Sequence, residues 1–304
     1  MQDRPNVVEW LEPGLRRVLA PNPSPMTHWG TNSYIIGEGN VALIDPGPSD
    51  AGHLQALLDA LGPGERISHI LVTHSHVDHS PLARPLAEIT GAPILAFGDS
   101  RAGRSAVMLD LAARGLTGGG EGVDTAFAPD EVLKDGQEVA GNGWSLNAIW
   151  TPGHFGNHIC FQWDDIVFSG DHLMGWAPSL VSPPDGDLTA FMASTQRLVD
   201  LAPRVCLPGH GAPVVAPAER AIWLLAHRKG RETSILQALA SGGPQDITTL
   251  TRAIYVDIPE AMHPMAARNL FAHLIDLHQR GLVSAKPELS LTADFTLTEN
   301  DCNG

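Results

Sequence analysis

The feature of the sequence that most constrains its fold is a short segment in which a β-prone run leads directly into metal-binding side chains. Residues 67–72 are largely apolar, and the sequence Thr-His-Ser-His-Val-Asp-His follows them. Because alternate side chains at a strand end project to the same face, His74 and His76 can chelate one ion. The ensuing turn can bring Asp78 and His79 toward a second ion. Imidazoles and carboxylates suit Zn²⁺ and related first-row ions, so this segment predicts a metal site.

Three later segments each place a further potential ligand just after a predicted strand. They read Thr-Pro-Gly-His at 151–154, Ser-Gly-Asp-His at 169–172 and Leu-Pro-Gly-His at 207–210. Turn residues behind a strand present a side chain rigidly at the edge of a sheet. We therefore expect these segments to complete the site that begins at His74. His172 is not assigned as a ligand.

The order of the predicted elements indicates an α/β fold. Residues 32–45 read as a β-hairpin, and strands and helices are mixed after it. From Pro217 the pattern changes to amphipathic helices, the first with a candidate break at Gly230, followed by a β-prone tail. This pattern suits a small winged-helix-like module. The sequence thus divides into a catalytic domain of residues 1–216 and a C-terminal domain of residues 217–304.

The net charge of −15 is carried almost wholly by the first part of the chain. Residues 1–219 hold 25 acidic and 11 basic residues, whereas residues 220–304 hold 9 and 8. Nucleic-acid affinity comes largely from Lys and Arg that neutralise phosphates, so the acidic part is a poor general surface for polyanions. Arg228, Lys229 and Arg231 form a small basic cluster, which we interpret as a solvated helix face.

The strand-end motifs resemble those of the metallo-β-lactamase superfamily, in particular its glyoxalase-II-like branch of dinuclear hydrolases. The resemblance covers roughly residues 30–215 and implies a four-layer αβ/βα sandwich with the metals at one edge of the paired sheets. All seven ligand positions are filled in the family order by His74, His76, Asp78, His79, His154, Asp171 and His210.

The resemblance also implies a role for each of these side chains. The ligands of the first metal would be His74, His76 and His154, and those of the second Asp78, His79 and His210. Asp171 would bridge the two metals. Asp45 matches an aspartate that orients a ligating histidine, which is a role with a physical reason, since ligating imidazoles usually donate their other N–H to an acceptor.

Further features resemble the β-lactamase-like-protein-2 group within this superfamily. They are the Gly-Asp-His tripeptide at 170–172, the Pro-Pro-Asp-Gly-Asp-Leu stretch at 183–188 and the winged-helix-like tail. Where other members often have Gly-Gly after the histidine motif, this chain has Ser80-Pro81, which changes the adjoining loop but no ligand. The loop 173–187, with Trp176, follows Asp171 and is expected to wall the cleft.

The expected function is metal-dependent hydrolysis by an enzyme. Two divalent ions, Zn²⁺ first with iron or manganese as alternatives, would hold a bridging hydroxide that attacks the ester, thioester or lactone carbonyl of a small molecule. Asp78 and Asp171 are the expected catalytic residues, because they place the metals and the hydroxide and can shuttle a proton. His76 stands where redox di-iron relatives tend to carry a carboxylate, which favours hydrolysis.

The alternative function is a metal-dependent endoribonuclease acting on single-stranded RNA. The group includes a ribonuclease, and two metals also suit the cleavage of a phosphodiester. The C-terminal helices would then hold the strand; otherwise we expect them to form a lid or the surface of a homodimer. A third hypothesis, a binding module with a defective metal site, is disfavoured by the complete set of ligands.

The expected location is the cytoplasm, with no membrane partner. No apolar run reaches the ~18–20 residues of a membrane-spanning helix. The first residues show no basic stretch leading into an apolar one and no small-residue cleavage site, which a secretory signal would have.

Overall fold

The computed structural model describes residues 4–118 and 122–298. The outer ends of the two expected domains, residues 1–3 and 299–304, lie outside the described residues. Within the described part, two β-sheets face each other, helices cover their outer faces, and a helical domain follows.

The first sheet has seven strands that lie side by side in chain order. They are β1 (Val8–Glu12), β2 (Leu15–Leu19), β3 (Asn32–Ile36), β4 (Asn40–Ile44), β5 (Arg66–Leu71), β6 (Ile94–Ala96) and β7 (Glu131–Val132). Pairing is antiparallel from β1 to β4 and parallel from β4 to β7. The expected hairpin is β3 and β4.

The second sheet has five strands. They are β8 (Glu138–Ala140), β9 (Ser145–Trp150), β10 (Ile159–Trp163), β11 (Ile166–Gly170) and β12 (Val205–Pro208). Their spatial order is β12-β11-β10-β9-β8, with β11 and β12 parallel and the other pairs antiparallel. The parallel pair requires a crossover between β11 and β12, and a helix supplies it.

Capping residues or a proline mark the starts of several helices. They are α1 (Ala51–Asp59), α2 (Ala83–Thr90), α3 (Ala106–Ala113), α4 (Leu188–Leu201), α5 (Pro217–Gly242), α6 (Ile247–Ile254) and α7 (His263–Gln279). Asp50, Asp187 and Asp246 cap α1, α4 and α6, since each carboxylate accepts a backbone N–H of the first helical turn. Pro217 opens α5 with a residue suited to a first helical turn.

The alternation of side chains along the strands builds a layered core. On β3, Tyr34 and Ile36 face the second sheet, whereas Ile35 between them faces the helices. Between the sheets, Tyr34 contacts Phe168 of β11 with ring centroids 5.2 Å apart. Helices α1 and α2 cover the first sheet and α4 covers the second. This arrangement is the expected four-layer αβ/βα sandwich, so the predicted fold class is confirmed.

The C-terminal domain has its own apolar core. It is formed by α5, α6, α7 and a hairpin of β13 (Val283–Lys286) and β14 (Asp294–Leu297), with Phe271 and Phe295 fully buried. Met108 and Leu111 of α3 pack into the same core, so it is continuous with the catalytic part. The candidate break at Gly230 is absent, because α5 is a single helix of 26 residues.

Arg228 on α5 ties the helical domain to the sandwich. Its guanidinium donates to the side-chain oxygen of Asn269 on α7 at 3.0 Å and to the carbonyl of Ser179. It also lies over the ring of Phe191 on α4, 5.3 Å from the centroid. Only 3% of Arg228 is exposed, so its interpretation as part of a solvated helix face is wrong. Lys229, the next residue, is exposed.

In the part of the chain that the structure describes, no helix combines the length and the apolar character that crossing a membrane requires.

The continuity of α5 yields a test on stability. Gly230 is exposed in the middle of the helix, and a Cβ built on it would meet no atom within 4 Å. A helical glycine costs about 0.5–1 kcal/mol relative to alanine, so Gly230→Ala should raise the free energy of unfolding by about that amount in urea titrations. A lower stability would show that the helix does not run through this position.

Candidate metal centre

Four strands end at the same place, and each is followed by one of the expected ligand segments. His74 to His79 follow β5 of the first sheet, and the other three segments follow β9, β11 and β12 of the second. Backbone hydrogen bonds join the two sheets here: Ile159 N–H donates to Thr73 O at 2.8 Å, and Asn32 N–H donates to Gly209 O at 2.7 Å. Residues far apart in the chain therefore meet at one edge of the sandwich.

The first cluster consists of His74, His76, His154 and Asp171, all buried, with ligand atoms within 4.8 Å of one another. Nδ1 of His76 lies 2.9 Å from Nε2 of His74 and 3.2 Å from Nε2 of His154. Asp171 Oδ2 lies 3.9 Å from His74 Nε2 and 3.7 Å from His154 Nε2. The structure thus brings together the three histidines expected at one metal and the expected bridging aspartate.

The second cluster consists of Asp78, His79 and His210, also buried. Nε2 of His79 and Nε2 of His210 are 3.3 Å apart, and His210 Nε2 lies 3.1 Å from Asp78 Oδ2. Asp171 reaches this cluster as well, with Oδ2 3.3 Å from His210 Nε2 and Oδ1 3.5 Å from His79 Nε2. Asp171 is therefore within reach of imidazoles of both clusters.

The donor set of these clusters fits metal ions. Two nitrogens bound at 2.0–2.1 Å in a tetrahedral site lie roughly 3.3 Å apart, which is close to the nitrogen separations in both clusters. Both carboxylate oxygens of Asp78 and Oδ1 of Asp171 are buried without a hydrogen-bond partner among the described residues. Buried carboxylates are normally paired or coordinate a metal, so these oxygens suit a cation.

Hydrogen bonds on the far side of the rings fix several imidazoles. His154 Nδ1 lies 2.7 Å from the carbonyl of Leu180, His210 Nδ1 lies 3.1 Å from that of Gly30, and His79 Nδ1 lies 2.9 Å from Asp45 Oδ2. A ring nitrogen that donates to these oxygens leaves the lone pair of Nε2 directed toward the cluster. The orienting contact expected of Asp45 is present, and it acts on His79.

The two clusters differ in the direction in which the protein shifts the pKa values of their imidazoles. Burial and the neighbouring imidazoles hold the pKa of His74 well below its usual range and lower that of His76 to about 3. For His210, burial opposes protonation, but the carboxylates of Asp171 and Asp78 outweigh it and raise the pKa to about 10. Neutral imidazole is the form that binds a metal, and the carboxylates supply the negative charge that a cation needs.

Several residues that support the two clusters were not predicted from the sequence. Nε2 of His158 accepts the backbone N–H of Asp171 at 3.2 Å, and Ser179 Oγ donates to the carbonyl of Asp171 at 2.5 Å. His172 points away from the clusters, with Nε2 3.0 Å from Thr195 Oγ1. His158 stands before β10 with no motif of its own, so no local signal would have separated it from an ordinary buried histidine.

Glycine is required before two of the ligands because the backbone passes close to other groups. A Cβ on Gly209, the residue before His210, would lie 2.5 Å from Asp171 Oδ1 and 2.6 Å from His79 Cε1. A Cβ on Gly153, the residue before His154, would overlap the backbone of Phe191. The glycine of one Pro-Gly turn therefore leaves room for the ligand clusters, and that of the other leaves room for helix α4.

A cavity of about 350 Å³ opens beside the first cluster, and His154 and Asp171 lie in its lining. The loop after Asp171 contributes Met174, Trp176 and Leu180, so the expectation that this loop walls the cleft is confirmed. Helices α5 and α7 line it from the other side. The candidate metal centre thus opens into a space that both domains line.

The close approach at Gly209 yields a test on metal affinity. Gly209→Ala places a methyl group between His79 and Asp171, so the affinity for Zn²⁺ should fall by at least about tenfold in chelator competition, as for other changes that displace metal ligands. Gly230→Ala is the matched control, because it makes the same change where the structure has room. Equal affinities in a folded Gly209→Ala variant would contradict the geometry described above.

Comparison with known proteins identifies two family regions. Residues 26–210 match the metallo-beta-lactamase superfamily, and residues 247–288 match the beta-lactamase associated winged helix domain. The winged-helix expectation for the C-terminal part is thereby confirmed. In overall shape the chain is similar to a beta-lactamase domain protein from Burkholderia ambifaria, with a TM-score of 0.79, 22% identity, and coverage of 97% of this chain and 95% of that one.

Curated relatives agree with this assignment. The chain is 30% identical to the Beta-lactamase-like protein 2 homolog of Drosophila melanogaster over 91% of each chain. It is also 30% identical to the atrochrysone carboxyl ACP thioesterase of Aspergillus fumigatus, over 76% of this chain and 67% of the relative. The expectation of an enzyme is confirmed by such hydrolase relatives, and the two clusters imply divalent metal ions. The chain therefore belongs to the metallo-β-lactamase superfamily and carries the winged-helix domain associated with it.

Proposed function

We propose that the protein hydrolyses the acyl bond of a small-molecule thioester, or of a related ester or lactone, with two divalent metal ions. The observation that carries this proposal is the cavity beside His154 and Asp171, which is partly open to solvent and lined largely by apolar side chains. An apolar lining suits an acyl group, whereas an RNA strand needs several phosphate-binding cations along its path. The thioesterase relative supports the choice of a thioester.

The metal ligands proposed are the seven side chains of the two clusters. The first ion would be held by His74, His76 and His154, the second by Asp78, His79 and His210, and Asp171 would serve both. Zn²⁺ is proposed because five of the seven donors are imidazoles, with iron and manganese as the alternatives. When bound, such ions supply Lewis-acid activation of a carbonyl and of water at neutral pH.

Two aspartates of the clusters, Asp171 and Asp78, are also proposed to act in the reaction. The backbone of Asp171 donates its N–H to Nε2 of His158 and accepts a hydrogen bond at its carbonyl from Ser179 Oγ, so its carboxylate is fixed between the clusters. The carboxylate of Asp78 lies beside the imidazoles of the second cluster, with Oδ2 3.1 Å from Nε2 of His210. We therefore keep Asp78 and Asp171 as the proposed catalytic residues, which place the reacting groups and move a proton.

The two-domain division at residues 216 and 217 is part of the same proposal. Helix α5 begins at Pro217, and its later turns enter both the cavity lining and the C-terminal core. The C-terminal domain would thus complete the substrate cavity rather than act as a separate binding module. We propose that it serves as the fixed wall that encloses the acyl group.

The proposal predicts hydrolysis of acyl thioesters of N-acetylcysteamine, measured as release of free thiol. His74→Ala should lower kcat/KM by at least about 100-fold, because it removes a metal ligand. His263→Ala is the control, since that imidazole lies at the start of α7 outside the cavity, and it should leave the rate within about twofold.

An end-labelled single-stranded RNA is the competing substrate in the same experiment. Metal-dependent cleavage of this RNA that His74→Ala abolishes, together with no release of thiol from any thioester, would contradict the proposed function and favour the endoribonuclease alternative.

A further inference from the structure

Two chemically different groups of side chains line the substrate cavity. The first group is His154 and Asp171 of the first cluster. The C-terminal domain contributes the second group, in which His227, Arg228 and Arg231 of α5 accompany Tyr255, which follows α6. We call this second set the donor wall.

The rest of the cavity is lined largely by apolar and flexible side chains. Met174 and Trp176 come from the loop after Asp171, and Ile258, Met262 and Met265 come from the segment around the start of α7. Methionine is unbranched and polarizable, so a lining of this kind adapts to the shape of an apolar ligand. The middle of the cavity therefore suits a hydrocarbon or aromatic body.

The donor wall carries polar atoms without partners. Arg228 Nε and His227 Nδ1 are buried and make no hydrogen bond within the described part of the chain. Arg228 lies nine-tenths or more inside the protein, and its other two nitrogens are occupied by Asn269 and by the carbonyl of Ser179. Both atoms are closed to solvent, so a ligand in the cavity does not reach them.

Arg231 supplies the charge of the donor wall. Its Nη1 donates to the carbonyl of Ile254 at 2.8 Å, and its guanidinium lies 4.1 Å from the ring centroid of Tyr255. Among the described residues no carboxylate lies within 4.0 Å of its guanidinium nitrogens. Of the residues that the structure describes, the acidic side chain that lines this cavity is Asp171, which belongs to the metal clusters. The donor wall is therefore cationic and able to receive an anion.

We propose that the acyl group of the substrate fills the cavity and ends in a carboxylate that pairs with Arg231. This inference rests on the proposed function, because it places the scissile carbonyl at Asp171 and the far end of the acyl group at the donor wall. A guanidinium binds a carboxylate through charge-assisted hydrogen bonds, and its planar shape favours that ligand.

The volume of the cavity sets the size of the acyl group. At roughly 30 Å³ per heavy atom, the volume occupied by a water in the liquid, 350 Å³ holds on the order of a dozen atoms. An acyl chain of about eight carbons with a terminal carboxylate falls within this limit. Ligands much longer than this would have to leave the cavity toward solvent.

The test compares two non-hydrolysable probes by calorimetry on the metal-loaded protein. Octanamide and 8-amino-8-oxooctanoic acid have the same chain length and the same amide in place of the thioester, and differ in the terminal carboxylate. We expect the wild type to bind the acid at least about tenfold more tightly. Arg231→Gln should remove this preference, and Arg231→Lys should keep part of it.

Arg252→Gln is the matched control, since Arg252 is an exposed arginine on α6 outside the cavity, and it should keep the full preference. Thermal unfolding checks that the Arg231 variants are folded, because Arg231 also bonds to Ile254. If they are not, Met262→Trp, which fills the cavity, replaces them and should weaken binding of both probes.

Equal binding of both probes by the wild type would overturn the inference, even if thioesters are hydrolysed. The inference would also be overturned if Arg231→Gln weakened the binding of 4′-phosphopantetheine and left the preference for the acid unchanged. Arg231 would then bind an anion on the thiol side of the substrate. An acid preference that depends on Arg231, found in a protein that releases no thiol from the octanoyl or the carboxyl-ended thioester, would support the binding site and contradict the proposed function.

Discussion

The structure of the candidate site depends on one buried carboxylate, that of Asp171. It lies at the end of β11, 3.3 Å from His210 and 3.7 Å from His154, so that imidazoles from both clusters surround it. This placement requires strand ends of the two facing sheets to meet at one edge of the sandwich, since His74 comes from the first sheet and Asp171 from the second. A buried negative charge among imidazoles is costly alone and favourable around cations, which is why the arrangement suits two metal ions.

The helical domain is connected to this carboxylate through a short series of contacts. Arg228 of α5 donates to the carbonyl of Ser179, and the hydroxyl of Ser179 donates to the carbonyl of Asp171. The same helix carries the donor wall of the cavity. The domain that closes the substrate space therefore also contacts the backbone of the proposed bridging ligand, and this explains how the two parts of the chain can form one site.

The sequence was sufficient to predict which side chains the two clusters contain, because the signals are local. Histidine and aspartate at the ends of apolar strands, two of them behind Pro-Gly turns, can be recognised without the fold, and the resemblance supplied their pairing. The sequence was insufficient where the environment is set by distant contacts. From the sequence, Arg228 is interpreted as a helix-surface residue in a basic cluster. In the structure it is buried against Ser179, Phe191 and Asn269. His158 and the cavity likewise depend on packing between elements far apart in the chain.

The central claim is that the two clusters form one dinuclear centre in which Asp171 is shared. The most direct measurement is anomalous diffraction at the zinc edge from crystals of the Zn²⁺-loaded protein. The account predicts two peaks about 3.5–4 Å apart, one beside His74, His76 and His154 and the other beside Asp78, His79 and His210, with Asp171 in contact with both. A single peak, or ions bound away from Asp171, would contradict it.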